Sequence, residues 1–390
     1  MKKKVDINKM NIKINKRQLL FSIVICFFIL CEYCEPFYWL DQLHIKHFLM
    51  IGVVFVFGIL LIKKKNIIMC MEMKKVFWTT GILYTISLFF QMLNGFKFYS
   101  VLEVYYFLIP MLFAIIVFNF SKKDNVDFIM TAILITCLFA FVVTRLGEGV
   151  FTFENLRAMF SFNALFIEST SVMRESDLSI FFVFLFTYFM YRREKIRTVM
   201  AGIGCFLGYK RFAVLFLIIL MIALRLIRGE KKLNKSILNV TIIFFCIAPF
   251  VAYVLCTDDF ASWFYSRFKI DFNAFSMTRF QIINTVIDAK LTNYGLGTVT
   301  DFLELRGVEG QLNMHNDILR IYMETTIIGT IVFTRNYFKM AETNWYSFFT
   351  MLFIFVELFV AHFLGPGAIS FWCIAYLALF TYNLNAAEQI

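Results

Sequence analysis

Proline is scarce in this chain, with four in 390 residues. An internal proline kinks or breaks a helix, so the scarcity fits long, mostly unbroken helices. Acidic residues are also few: 27 Asp and Glu stand against 38 Lys and Arg, a net charge of +11. That balance would suit nucleic acid, but the positions argue against it. Lys and Arg cluster in short loops between apolar runs, which is the positive-inside pattern of membrane proteins. Cysteine offers no framework either. Most of the nine, such as Cys26, Cys137, Cys205 and Cys246, lie inside apolar runs as small hydrophobes. The single C-x-x-C, Cys31 and Cys34, has no second pair to complete a structural zinc site. It reads as packing, with a disulfide as the alternative. No small-residue cleavage site follows the basic N-terminus, so the first apolar run reads as a retained anchor. No internal repeat points to an inverted-repeat transporter.

What is abundant is apolar: 60% of residues are hydrophobic, 52 are phenylalanine, and the mean hydropathy is +0.74. These values exclude an ordinary soluble domain. The fold class expected is all-α, a polytopic integral membrane protein. Spans are expected at about Leu19–Cys34, Phe48–Ile62, Val76–Leu93, Val101–Phe120, Val126–Val143 and Leu178–Tyr191. Two short helices within 198–227 meet at Lys210-Arg211, because both flanks of that run are basic. Further spans lie at about Val240–Cys256, Asn316–Phe333, Tyr346–Phe363 and Ile369–Tyr382. The count is about twelve transmembrane helices with both termini cytosolic. Residues 1–390 form a single membrane domain, with a basic cytosolic tail (1–17), an outer segment (145–177) and a large late extracytoplasmic loop (257–315).

One stretch breaks the apolar pattern. Leu312–Gly329 brings a histidine, two acids and an arginine into an otherwise apolar span. Asn316 and Asp317 are good helix-start residues, and Glu324 falls roughly 12 Å below that start, inside a hydrocarbon core about 30 Å thick. Ionisable groups at such depth mark a functional site or an internal ion pair. Arg320 and Glu324, spaced i, i+4, can neutralise each other. On the outer half, the candidates are Lys210, Arg211, Arg279, His315 and Glu324. Arginine forks suit phosphate oxygens, and a histidine at the water boundary can exchange a proton near neutral pH. Metal chemistry fits poorly, because no carboxylate cluster or second histidine stands nearby in the chain. Plainer readings exist for each residue: an interfacial histidine, a self-neutralised pair, a turn with snorkelling side chains.

Leu312–Gly329 resembles the signature of the O-antigen polymerase and ligase (Wzy-like) superfamily, in which H-N-x-x-L opens a helix and E-x-G-x-x-G follows. His315, Asn316, Leu319, Glu324 and Gly329 match, whereas Thr326 stands where the first glycine is expected. Leu207-Gly-Tyr-Lys-Arg-Phe-Ala-Val-Leu is similar to the family's mid-chain basic pattern, and Arg279-Phe-Gln-Ile-Ile-Asn followed by Asn293-Tyr-Gly-Leu-Gly to the stretch ahead of the histidine. The motifs cover roughly 200–330, and the layout covers the whole chain. The resemblance implies a cofactor-free, metal-independent glycosyltransferase in the bacterial cytoplasmic membrane. Its substrate would be a polyprenyl-pyrophosphate-linked oligosaccharide, polymerised on the outer face into capsule, exopolysaccharide or O-antigen. Chain-length regulator and flippase proteins are its implied partners. Arg211 and Arg279, supported by Lys210, would stabilise the departing pyrophosphate, and His315 would orient and deprotonate the acceptor hydroxyl. Asn316 and Glu324 join the substrate-binding set, though Glu324 reads more as a brace for the helix. Arg157 and Arg174 are outer-segment candidates for acceptor or phosphate contact. A ligase transferring finished glycan shares the same motif. A flippase or exporter of lipid-linked sugars would spread charge through several spans, and the first five carry little beyond Glu103.

Overall fold

A computed structural model describes residues 15–64, 67–121, 123–150, 152–158, 176–227, 232–276, 279–291, 294–306 and 314–387. Arg174, Asn293, most of the basic tail and most of the 145–177 segment lie outside the described residues. What is described is all-α. The principal helices are α1 (Lys16–Tyr33), α2 (Ile45–Ile62), α3 (Met71–Asn94), α4 (Tyr99–Phe120), α5 (Lys123–Gly147), α6 (Leu178–Tyr191), α7 (Lys195–Gly208), α8 (Arg211–Ile227), α9 (Lys235–Leu255), α10 (Asp317–Met340), α11 (Trp345–Val360) and α12 (Ile369–Ala387). Shorter helices, Asp258–Phe268, Arg279–Asp288 and Thr298–Leu305, build the segment between α9 and α10.

Burial follows composition. α6 and α12 are apolar all round and form the centre, with every residue of Leu178–Phe189 and of Ile369–Asn383 buried. α7 closes on α6 through Gly204 and Gly208, where an added Cβ would come within 2.7 Å of the Phe182 ring and 2.3 Å of Ser179 Oγ. Small residues at this spacing are the usual means of bringing two membrane helices into contact. The peripheral helices do the reverse, turning Phe48, Trp78, Met92, Val240 and Phe244 outward. In water that would be an aggregation surface, whereas against lipid it is the expected outer ring.

Among the described residues, five helices are long and apolar enough to cross a membrane: α2, α3, α4, Val126–Gly147 of α5, and α9. The count rises to six if α1 and the following Glu35–Gln42, bent by 102°, form one broken span. That is fewer than the sequence reading counts. α6, α11 and Ile369–Leu384 of α12 are apolar but shorter, and α10 holds Asp317, Arg320, Glu324, Arg335 and Lys339. The connections nonetheless sort to two ends. At one, Lys64 Nζ donates to the Asn119 carbonyl (2.6 Å), Arg192 pairs with Asp127 (2.5 Å) and Lys75 Nζ donates to the Lys339 carbonyl (2.7 Å). At the other, Glu35 N donates to Thr144 Oγ1 (3.1 Å), Lys97 pairs with Asp301 (2.8 Å) and Tyr33 OH donates to the Gly367 carbonyl (3.3 Å). The chain breaks at Tyr209, whose φ is 52°, so α7 and α8 meet at Lys210-Arg211.

α10 is itself broken. Thr326 has φ 68° and ψ 179°, a backbone region essentially reserved to glycine, at the position where the resembled signature carries one. Its Oγ1 recovers part of the cost by accepting from Ile328 N (3.2 Å). Thr326→Gly is expected to raise stability by about 1 kcal/mol, strain of about 1–3 kcal/mol being relieved against one lost hydrogen bond. Thermal unfolding in detergent measures it. A lower midpoint than wild type would show that the break is not strained.

Candidate functional site

A cavity of about 540 Å³ lies at the Tyr33–Gly367 end of the bundle. Its wall includes all four histidines of the chain, His44, His47, His315 and His362. Lys46, Lys210 and Arg279 supply positive charge, and Glu32, Asp41 and Asp177 supply negative. These residues come from the end of α1, the start of α2, the residue before α6, the α7–α8 break, the α9–α10 segment and the α11–α12 loop.

The start of α10 organises one wall. Asn316 caps the helix, its Oδ1 accepting from Leu319 N (2.9 Å). Asp317 is fully buried and reaches across to the α11–α12 loop. Its Oδ1 accepts from His362 Nδ1 (3.0 Å), and its Oδ2 accepts from Phe363 N (2.5 Å) and Leu364 N (2.9 Å). The other ring nitrogen of His362, Nε2, is buried with no hydrogen-bond partner. Nε2 lies against Gly365, where an added Cβ would come within 2.2 Å of it.

His315 precedes the cap, half-buried, with Nδ1 unpartnered. Burial, then the charges of Arg279 and His362, push its pKa down to about 4. The ring is therefore neutral at pH 7 and can accept a proton. The same shift carries a stability consequence. A histidine depressed below its unfolded value near 6.5 contributes stability above that pH and loses it as pH falls towards 4. His315→Gln should therefore flatten the fall in unfolding temperature between pH 6.5 and 4. An unchanged slope would mean that His315 is solvated.

The cations form the second wall. Lys210 sits in the α7–α8 break, its Nζ 2.6 Å from Asp177 Oδ1 and 4.0 Å from Glu357 Oε2, over the Phe363 ring at 5.4 Å. Burial alone would lower the Lys210 pKa, but Asp177 and Glu357 reverse that and raise it. Burial likewise acts to raise Asp177, but Lys210, with help from His315 and Arg279, holds it below the usual carboxylate range. Arg279, the first residue of the helix Arg279–Asp288, brings a guanidinium to the cavity, where it and Lys210 supply positive charge. Both favour an anion.

Lys210, Arg279 and His315, nominated by sequence, thus meet at one cavity although 36 to 105 residues separate them in the chain. The other nominees lie elsewhere. Arg211 begins α8 and does not line the cavity, nor does exposed Arg157 on the helix Phe153–Ala158. Asn316 spends its side-chain oxygen on the cap. Glu324, fully buried, accepts from Val299 N (2.9 Å) and braces the Gly295–Val299 turn. Arg320 does not pair with Glu324 first. It grips Glu103 (2.5 Å), and its Nε lies 3.4 Å from Asp317.

Sequence reasoning missed His362, Asp317 as its partner, and the His44-x-Lys46-His47 stretch. Rarity was the available signal, since four histidines in 390 residues all fall between apolar runs. Nor is His315 without company, as proximity in the chain implies, for the fold brings three more imidazoles to it. Among the described residues, no three of the His, Cys, Asp and Glu side chains are arranged to hold one metal ion. Both thiols of Cys31 and Cys34 are free. No protein-family model matches the chain, and no curated protein matches it.

Proposed function

We propose that this protein is a polysaccharide polymerase that joins polyprenyl-pyrophosphate-linked repeat units at the outer face of a bacterial cytoplasmic membrane. The observation that carries the reading is the meeting of Lys210, Arg279 and neutral His315 at one cavity. In this reading the twelve principal helices all cross the bilayer, the basic loops face the cytosol, and the cavity opens outside. The acceptor sugar's hydroxyl attacks the anomeric carbon of the donor. Its proton passes to His315, and the bond from that carbon to the pyrophosphate oxygen breaks. The pyrophosphate leaves with the electron pair, and Arg279 and Lys210 face the charge that develops on it. The bond energy of the donor drives the step, so no cofactor is required.

The test uses purified protein in liposomes with lipid-linked repeat units, read as a ladder of glycan lengths on a gel. Wild type is expected to build the ladder, and His315→Ala to abolish it while keeping its unfolding temperature. A ladder that survives His315→Ala removes the histidine from the chemistry. Transfer of finished glycan in one step, with no ladder, identifies a ligase. Substrate that crosses the bilayer without being joined identifies a flippase.

A further inference from the structure

At about 540 Å³ the cavity falls in the range that encloses a whole small-molecule ligand. Lys210, Arg279 and His315 line only part of it. A second part of the wall belongs to residues 32–47, a stretch that none of the motifs reaches: Glu32, Tyr33, Asp41, His44, Lys46 and His47.

The two parts differ in charge and act as separate groups. Asp177, Lys210, Arg279 and His315 influence one another directly. Lys46, Asp41 and His44 act on His47 in the same manner. Tyr33 lies within electrostatic reach of both Glu32 and Asp177, and the α11–α12 loop serves both walls, Phe363 under Lys210 and Gly367 against Tyr33.

Lys46 is not available to a pyrophosphate. Only 4% exposed, it is held by Glu32 Oε1 (3.0 Å) and Asp41 Oδ1 (2.5 Å). Glu32 Oε2 in turn accepts from Ser370 Oγ (2.6 Å). With Glu32 and Asp41 both on its ammonium, Lys46 offers no spare positive charge here to hold the donor's phosphates. The wall suits hydroxyl groups instead. A carboxylate accepts from sugar O–H groups at the lone pairs it has left, and an imidazole either accepts or donates. Asp41 keeps its side chain 45% exposed while holding Lys46, and His44 is exposed beside it. Tyr33 lines the same wall. His362, only 10% exposed, also lines the cavity with Nε2 unpartnered.

We infer that the 32–47 wall is the acceptor subsite, which binds the terminal sugar of the acceptor glycan through its hydroxyls, with Asp41 and His44 as direct partners. The inference rests on the polymerase reading and adds to it the place and chemistry of the second substrate. The donor lies on the Lys210–Arg279 side, the acceptor on the 32–47 side, and the reacting atoms meet between them.

The test separates the two walls with two probes on the intact protein in liposomes. One is inorganic pyrophosphate, read as protection against thermal unfolding. The other is the concentration of lipid-linked repeat unit that gives half-maximal ladder formation. The variants are Asp41→Ala and His44→Gly. Glycine suits His44's left-handed backbone, φ 54°, so this second variant guards against a folding artefact. Both are expected to need about tenfold more repeat unit, as for a lost substrate hydrogen bond of about 1.4 kcal/mol, with the pyrophosphate midpoint unchanged. An unchanged half-maximal concentration overturns the acceptor subsite and leaves the polymerase standing. A pyrophosphate midpoint that moves by the same factor assigns the wall to the donor and also overturns it. No wild-type ladder and no protection by pyrophosphate overturn both readings together.

Discussion

Arg320→Ala is expected to cost about 3–5 kcal/mol, because it removes the cation from a buried cluster of carboxylates. Arg320 is 1% exposed, Glu103 3% and Asp317 0%. Its Nη1 donates to Glu103 Oε1 (2.5 Å) and Thr300 Oγ1 (3.4 Å), and its Nη2 donates to Glu103 Oε2 (3.3 Å) and the Leu364 carbonyl (2.5 Å). With the guanidinium gone, Glu103 on α4 and Asp317 on α10 lose their cation in a place that water does not reach. The damage should also travel to the cavity, since Asp317 positions His362, Phe363 and Leu364. Arg320→Lys keeps the charge but not the planar fork, and should fall between wild type and alanine. The pair Glu103→Gln with Arg320→Gln should cost less than the two single changes added together, because neither partner is then left charged and alone. Thermal unfolding in detergent reads all five variants. A loss below about 1 kcal/mol for Arg320→Ala would mean that water reaches the cluster.

The helices were legible because their apolar runs are long and their ends charged. α2 was placed within three residues at its start and correctly at its end, and α6 coincides with its expected span. The break at Lys210-Arg211 followed from charge alone, since both flanks are basic. The site was only half legible, and the reason is distance. A motif reports residues that lie close in the chain, so it delivered His315 and, by order of motifs, Lys210 and Arg279. It could not reveal that His362 would return from the α11–α12 loop to Asp317, or that His44 and Lys46 from the first loop would form the opposite wall. Arg320 and Glu324 show the complementary error. Spacing of i, i+4 puts two side chains on one helical face, but it does not exclude a better partner on another helix. Glu103 supplies that partner for Arg320, and the backbone of Val299 claims Glu324. Lys210 and Arg211 are adjacent, yet a helix start points successive side chains in different directions. Only Lys210 lines the cavity.

For the polymerase we propose, Arg279→Ala should lower the initial rate of chain extension by about 10²–10³-fold, the range seen when one fixed donor is removed from a developing anion. The size follows from where the charge appears. In the ground state the pyrophosphate already carries charge and is bound by every cation nearby. As the bond to the sugar breaks, further charge develops on the bridging oxygen, and a pre-placed guanidinium meets it without reorganising. Lys210 is a poorer substitute, because its ammonium is a point charge without the planar fork of a guanidinium. Arg279→Lys should recover part of the rate, since charge survives but the fork does not. Arg211→Ala should change the rate by less than about threefold, because its side chain does not line the cavity, and a difference of that size is under 1 kcal/mol in the barrier. The double variant Arg279→Ala with His315→Ala separates two accounts of the site. If proton removal and pyrophosphate departure belong to one transition state, the double loss will be well below the product of the single losses. If the two losses multiply in full, His315 and Arg279 contribute independently of each other, the proton transfer uncoupled from the charge on the leaving pyrophosphate.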